Sequence, residues 1–130
     1  MSLSYLIQID FQLSGIESPP NTITQVLGIP PDTALRRGER NRELALPRSN
    51  IWSKRSSAPA FDSALSEHWQ NLSGYLAGKE SAIRSITGSG RTRFSIIVDG
   101  SGRVPPLLSP LEMVQFASGV RADIDVDVYQ

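Results

Sequence analysis

The stretch Asp123-Ile124-Asp125-Val126-Asp127-Val128-Tyr129 decides the fold, because its acidic and apolar residues alternate strictly. Successive side chains of a β-strand point to opposite faces, so a period of two predicts a strand with one acidic and one aliphatic face. The acidic face carries Asp123, Asp125 and Asp127. We expect this strand to lie inside a sheet, with its aliphatic face packed against helices and its acidic face in solvent.

Shorter patterns of the same kind predict the other strands. Alternating apolar residues predict strands at residues 5–13 and 92–98, and a third short strand fits residues 51–55 around Trp52. Residues 34–37 fit either a short strand or the start of a loop. Glycine and proline between these stretches end each strand.

The strongest helical signal is a stripe of large apolar residues after Asp62 and Ser63, either of which would cap the helix. The spacings of four, three and four within the stripe place its members on one helix face. They are Leu65, Trp69, Leu72 and Leu76. Glycine is unfavourable inside a helix, so Gly78 predicts a break, followed by a second short helix carrying Ile83 and Ile86.

Two further short helices are predicted from their ends. Asn21 or Thr22 would cap a helix that stops at Gly28. Ser109 would cap another, with Pro110 at its first position. The inward residues of the first are Ile23, Val26 and Leu27, and those of the second are Leu111, Val114, Phe116 and Ala117.

These elements predict one α+β domain over residues 1–130, built on an antiparallel sheet of four to five strands with helices packed on one face. Strands with one polar face argue against a doubly wound parallel sheet, whose strands are apolar on both faces. The first six elements follow the order of a ferredoxin-like split unit.

Composition narrows the functional classes. Lysine plus arginine and aspartate plus glutamate each number 13, so the net charge is zero and no overall attraction to nucleic acid or anionic membranes exists. Cysteine is absent, which excludes disulfides and thiolate chemistry. No signal-like or membrane-spanning stretch is evident, so we expect a cytoplasmic protein.

Residues 34–56 are the most polarised part of the chain, with seven basic side chains against two glutamates. Guanidinium groups bind carboxylate or phosphate through paired hydrogen bonds, so Arg36, Arg37 and Arg40 are candidate contacts for an acidic protein surface or a phosphate. Trp52 is expected in the core or at its edge, and is also a candidate partner anchor. The alternative is a solvated loop that partly pairs with the acidic strand.

The three aspartates of the last strand are candidates for a partner surface or for a divalent cation. Same-face residues are about 6.5–7 Å apart along a strand, so one ion reaches at most two of the three. A solvated or arginine-paired acidic face is the more ordinary interpretation. We therefore predict no metal site.

Catalytic and cofactor patterns are missing from the sequence. His68 is the only histidine, and no Gly-x-Ser-x-Gly elbow supplies a nucleophile for it. We expect His68 on the surface or at the boundary of its helix. Gly88-Ser-Gly-Arg91 and Gly100-Ser-Gly-Arg103 lack the rest of a phosphate-binding loop, so both are predicted to be turns. No cofactor and no catalytic residue is predicted.

Four pieces of the chain stand in a recognisable order. They are Ile23-Thr24-Gln25-Val26-Leu27-Gly28-Ile29 before Pro30, Arg37-Gly38 leading to Trp52, the leucine-rich stripe of residues 65–76, and Leu108-Ser109-Pro110 followed by Asp123–Tyr129. Together they resemble the bacterial family known as domain of unknown function 4279, over nearly the whole chain. The basic stretch 36–47 is longer than the family pattern, and Gly74 and Gly78 interrupt the helix.

The resemblance implies a compact α+β domain and supplies no catalytic residues. Some small bacterial domains of this kind resemble immunity proteins, which neutralise a toxin encoded nearby. Our leading hypothesis is therefore a non-enzymatic, protein-binding domain of the bacterial cytoplasm, with a toxin-immunity protein as its narrower form.

Two alternatives stay open. One is a binder of a small anionic ligand, or an enzyme with an unrecognised site. It predicts a deep pocket lined by several of Arg36, Arg37, Trp52, His68 and the aspartates, whereas a flat surface favours the protein-binding domain. The other is a homodimer, in which an exposed edge strand pairs with that of a second copy.

Overall fold

The computed structural model describes residues 5–38, 49–58, 63–100 and 107–129. These residues form nine elements: β1 Tyr5–Ile16, α1 Pro20–Leu27, β2 Thr33–Leu35, β3 Asn50–Arg55, α2 Leu65–Leu76, α3 Glu80–Thr87, β4 Arg91–Gly100, α4 Leu111–Gly119 and β5 Asp123–Tyr129. Every predicted strand is present, including the short one for which a loop was the alternative.

One sheet joins the strands in the order β2-β3-β1-β4-β5. β1 runs antiparallel to both of its neighbours, β3 and β4, and β2 runs antiparallel to β3. β1 and β2 are therefore parallel with β3 between them, as in a ferredoxin-like split unit. The predicted α+β fold with an antiparallel sheet is confirmed for these four strands.

The fifth strand differs, because β5 runs parallel to β4. A parallel neighbour needs a crossover connection that returns the chain to the same end of the sheet, and α4 is part of that connection. The sheet is therefore mixed, with one parallel pair at its edge.

The core lies on one face of the sheet. Along β1, buried and partly exposed side chains alternate, with Ile9 and Phe11 fully buried. Gln8 and Gln12 lie on the opposite face and keep part of their surface in solvent. This alternation confirms a sheet with one wet face.

Aromatic rings connect the sheet to the helices that cover it. The Phe94 ring of β4 lies 5.9 Å from the Trp69 ring of α2 and 6.1 Å from the Phe116 ring of α4, between centroids. Both contacts are edge-on, the arrangement that ring quadrupoles favour. The helices α2 and α4 therefore pack over the same face of β4.

α2 carries the predicted stripe, and all four of its members are buried. Burying a large apolar side chain stabilises a fold by about 1.5–3 kcal/mol. The N-cap is Ala64 rather than Asp62 or Ser63, and the Ala64 N–H donates to Glu67 Oε1 at 3.4 Å. Asp62 itself lies outside the described residues.

Glycines end the helices where the sequence predicts. Gly28 caps α1 with a φ of 68°, and Gly78 separates α2 from α3 with a φ of 79°, in the left-handed region that glycine adopts without strain. Gly88-Ser-Gly-Arg91 joins α3 to β4 as the predicted turn. The second glycine motif lies mostly outside the described residues.

Prolines, not the predicted polar residues, cap the two short helices. Pro19 is the N-cap of α1 in place of Asn21 or Thr22, and a second proline fills the first helical position. Pro110 is the N-cap of α4 in place of Ser109. The fixed φ and missing N–H of proline suit the start of a helix, where the N–H has no intrahelical partner.

The inward faces of these helices also differ from the prediction. Val26 of α1 is 50% exposed, and Leu111 and Val114 of α4 are 66% and 44% exposed. Met113 is buried instead, together with Phe116 three residues later. Because the Phe116 ring packs against the sheet, the phase of α4 follows that contact and turns the two predicted residues outward.

Candidate functional site

β5 forms one edge of the sheet, so the prediction of a strand is confirmed and that of an inner strand is wrong. Only β4 pairs with it, and its other side has no neighbouring strand in the described chain. All seven residues of Asp123–Tyr129 are exposed. An edge strand presents a row of backbone N–H and C=O groups that another strand can pair with.

The aliphatic face of β5 points to the side of the sheet that holds the core. The register pairs are Ile124 with Phe94, Val126 with Ile96, and Val128 with Val98. The β4 members are at most 1% exposed, whereas the β5 members are 39%, 47% and 43% exposed. The helices cover β4 and leave β5 largely open, so the predicted packing of this face against helices is wrong.

The acidic face of β5 lies on the wet side of the sheet, as predicted. Arg93 of β4 is beside Asp123 in register, and its Nε lies 3.2 Å from Asp125 Oδ2. Asp123 and Asp127 have no basic group within 4 Å in the described chain. Arginine pairing therefore accounts for one of the three aspartates, and such an exposed pair contributes little stability.

The described residues contain no group of three histidine, aspartate or glutamate side chains that could hold a metal ion. The carboxylates of β5 are spread along an open strand and do not converge on one point. The acidic face of β5 can therefore attract a partner through its negative charge.

The predicted basic contacts lie at the opposite edge of the sheet. Arg36 and Arg37 directly follow β2 and are exposed, while Arg40 lies outside the described residues. Lys54 of β3 pairs with Asp32 at 3.7 Å. Three strands separate β2 from β5, so these described basic residues do not pair with the acidic strand.

Trp52 belongs to the core, as predicted. Its side chain is fully buried, its Nε1–H donates to Thr24 Oγ1 at 3.1 Å, and its ring meets the Phe11 ring edge-on. The ring offers no surface to a partner in this structure. Trp52 is therefore a core residue and not an exposed partner anchor.

His68 is fully buried, which corrects its predicted position at the helix surface or boundary. Its spacing from Leu65 and Leu72 already places it on the apolar stripe of α2. Its Nδ1 lies 2.8 Å from Ser56 Oγ, and the Ile9 N–H donates to the same oxygen at 3.1 Å. The hydroxyl thus links α2 to the end of β3 and the middle of β1.

Both neutral tautomers of the ring are compatible with this hydrogen bond. Either Nδ1–H donates to Ser56 Oγ, or the Ser56 hydroxyl donates to Nδ1 and the ring proton lies on Nε2. Nε2 has no partner among the described residues. Burial lowers the pKa of His68, and the nearby Glu67 carboxylate only partly opposes this. Both side chains are buried, His68 at 0% and Ser56 at 4% exposure.

A groove of about 640 Å³ lies between α2 and α4. Trp69 and Phe116 form its apolar side, and the carboxylates of Glu80 and Glu112 lie among its lining. None of the predicted site residues lines it. Of those residues, only Asp123 borders any of the described cavities, one of about 170 Å³. None of the four described cavities is lined by several of the predicted site residues, as the ligand-binding alternative requires.

Comparison with known proteins gives a family. The model of the family described as Domain of unknown function (DUF4279) matches residues 6–130. The chain belongs to this family. The match confirms the resemblance noted from the sequence and includes residues of every element of the fold. No curated protein and no solved structure matches the chain.

No helix in the described ranges is long and apolar enough to span a membrane.

Proposed function

We propose that the protein is a non-enzymatic, protein-binding domain of the bacterial cytoplasm, and that its binding surface is the exposed edge at β5. An extended segment of the partner adds to the sheet beside β5 as a sixth strand. The observation that carries the proposal is the uncovered aliphatic face of β5, which lies in register with a buried face of β4.

Strand addition offers two sources of affinity at this edge. Each backbone hydrogen bond made with the partner contributes a net free energy of about 0.5–1.5 kcal/mol. The aliphatic side chains, 39–47% exposed in the free protein, also leave water on binding. That transfer contributes about 25 cal/mol per Å² of apolar surface. Backbone pairing therefore supplies affinity, and the side chains supply selectivity.

The neighbouring helix adds apolar surface on the same side of the sheet. Leu111 and Val114 of α4 are 66% and 44% exposed, although the helix is anchored through Phe116. Exposed apolar surface of this kind is typical of interaction sites. A partner that follows β5 would meet this helix on the core side of the sheet.

The geometry gives less support to a small-ligand binder or an enzyme. The only buried histidine–hydroxyl pair in the described residues, Ser56 with His68, is enclosed in the core. Arg36 and Arg37 lie on the surface at the far edge and border none of the described cavities.

In its narrower form, we propose that the partner is a toxin of the same bacterium, which the domain neutralises by occluding a functional surface. The support is the likeness of some small bacterial domains of this kind to immunity proteins, together with a surface suited to protein contact. Co-expression with the product of each adjacent gene tests this form. Rescue of growth that requires an intact β5 edge is the expected result.

The broader proposal is tested with two matched variants, Val126→Lys and Val26→Lys. Both valines are about half exposed, at 47% and 50%, but only Val126 lies on β5. A lysine that points to the core side of an edge strand blocks the addition of another strand. Its side chain is long enough for the ammonium group to reach water, so the fold itself tolerates the change. A partner recovered from the native host is purified, and its affinity for each variant is measured by calorimetry.

The expected result is loss of binding by Val126→Lys and retention by Val26→Lys, with slower hydrogen exchange of the β5 amides in the wild-type complex. Equal binding by both variants would place the partner elsewhere on the molecule. Recovery of no partner under native conditions would contradict the protein-binding class.

A further inference from the structure

We infer that the strand received by β5 alternates basic and aliphatic residues, and that it belongs to a different protein rather than to a second copy of this chain. This inference rests on the proposed function and adds the chemistry of the partner. The juxtaposition that carries it is an acidic row and an aliphatic row on opposite faces of one unpaired edge strand.

The two faces of β5 specify the two faces of the partner strand. Residues that lie opposite each other on paired strands share a face, with Cβ atoms about 4.5–5.5 Å apart. On the wet side the partner therefore meets Asp123, Asp125 and Asp127, and on the core side it meets the aliphatic row. Lysine or arginine satisfies the first row, and valine, isoleucine or leucine satisfies the second.

The acidic row has unused capacity for cations. Arg93 lies 3.2 Å from Asp125, but Asp123 and Asp127 have no basic group within 4 Å among the described residues. Same-face carboxylates stand about 7 Å apart along a strand and repel one another. A partner strand with alternate cations relieves this repulsion over the whole row.

The charge pattern argues against pairing between two copies. When the β5 strands of two copies pair antiparallel, the numbers of any two residues that face each other add up to the same value. The aspartates are all odd-numbered, so an even value sets aspartate opposite aspartate, for example Asp125 opposite Asp127. Like charges directly opposite each other destabilise a sheet. An odd value sets aspartate opposite aliphatic residues. It also places the helices of the second copy on the opposite face of the joined sheet from those of the first copy.

Edge strands also carry charges simply to prevent aggregation, which is a different role for the same residues. Protection alone requires only that the edge be charged. A purely protective edge would bind a cationic strand with alternating residues and one with the same residues in another order with equal affinity. Peptides of equal composition therefore separate a recognition role from a protective one.

The experiment uses the full chain and two fluorescein-labelled eight-residue peptides, one alternating lysine with valine and one with all its lysines before its valines. Fluorescence anisotropy at physiological salt gives the two dissociation constants. We expect the alternating peptide to bind about tenfold more tightly, because only it matches both faces of β5 at once.

The protein variants isolate the charge. Asp123→Asn/Asp125→Asn/Asp127→Asn should weaken binding of the alternating peptide by about tenfold, as expected from several exposed ion pairs. The matched control carries the same charge change at Glu17, Glu80 and Glu112, each replaced by glutamine, and should stay within about twofold. Asp127→Asn alone, a milder change, should give a smaller loss in the same direction.

Two outcomes overturn the inference: equal affinity for the two peptides, and unchanged affinity of the triple asparagine variant. The proposed function fails separately. It fails if Val126→Lys and Val26→Lys bind the native partner equally well. If the native partner requires Val126 but is insensitive to the aspartate changes, the binding edge stands and the inferred partner chemistry is wrong.

Discussion

Ser56 and His68 are joined inside the protein by a hydrogen bond of 2.8 Å between Oγ and Nδ1. The same hydroxyl accepts the Ile9 N–H, so one oxygen ties the long helix to two strands. A sequence with a single histidine invites a catalytic interpretation, but this arrangement is a structural tie between buried groups. Its consequences are measurable in stability and in pH dependence.

Replacement of Ser56 by alanine should lower the free energy of unfolding by about 1–3 kcal/mol, because it leaves the Ile9 N–H and His68 Nδ1 buried without partners. The neighbouring Ser57 is exposed and bonded to Asn71, so Ser57→Ala should cost at most about 0.5 kcal/mol. Urea denaturation of the two variants checks this. Equal costs would mean that the buried hydrogen bond contributes nothing specific.

Stability should fall as the pH drops below 6.5, the usual pKa of histidine, because burial lowers the pKa of His68 in the folded state. The unfolded chain then binds more protons than the folded chain, which costs at most about 1 kcal/mol between pH 7 and pH 5.5. The half-buried Asp10, whose pKa is raised mainly by burial, acts in the opposite sense.

The measurement is therefore a difference between wild type and His68→Gln, with the free energy of unfolding taken from urea denaturation at both pH values. The variant is expected to be less stable at pH 7 and to lack this part of the pH dependence. The same pH slope in both proteins would show that the pKa of His68 is the same in the folded and the unfolded chain.

Truncation of two leucines should separate the true core from the predicted one. Leu72 of α2 is fully buried, so Leu72→Ala should lower the free energy of unfolding by about 2–5 kcal/mol. Leu111 of α4 is 66% exposed, and Leu111→Ala should cost no more than about 0.5 kcal/mol. A large loss from Leu111→Ala would place that side chain in the core after all.

Neutralising the acidic row should increase self-association. The triple asparagine variant removes the like-charge contacts that oppose pairing of two β5 edges while keeping the aliphatic row. Sedimentation velocity should show a dimer or larger species for this variant and a monomer for wild type at the same concentration. A wild-type dimer that persists after Val126→Lys would show that copies associate through another surface.

Charge reversal at the far edge should leave binding at β5 intact. Arg36 and Arg37 follow β2, which β3, β1 and β4 separate from β5. Arg36→Glu/Arg37→Glu should therefore change the affinity for the alternating peptide by less than about twofold at physiological salt, where exposed charges are screened within about 8 Å. A loss as large as that of the asparagine variant would move the binding surface to the basic segment.

The elements themselves were predictable because their signals are local. The spacing of Leu65, Trp69, Leu72 and Leu76 is a property of one helix, and the alternation of β1 and β4 is a property of single strands. Helix ends were less predictable, since prolines and polar residues compete for the same cap positions. The predicted inward residues of α1 and α4 were confirmed for Ile23, Leu27, Phe116 and Ala117. They were wrong for Val26, Leu111 and Val114, because packing against the rest of the fold, not residue type, set the phase of each helix.

For the candidate site, too, local features could be predicted from the sequence and long-range ones could not. By itself, the sequence determined that residues 123–129 form a strand with acidic and aliphatic rows on opposite faces, since side-chain alternation depends only on the extended backbone. Only the tertiary structure decided that this strand lies at an edge and that the helices leave its aliphatic row open. Those facts depend on strand order and helix packing, which arise from contacts between residues far apart in the chain.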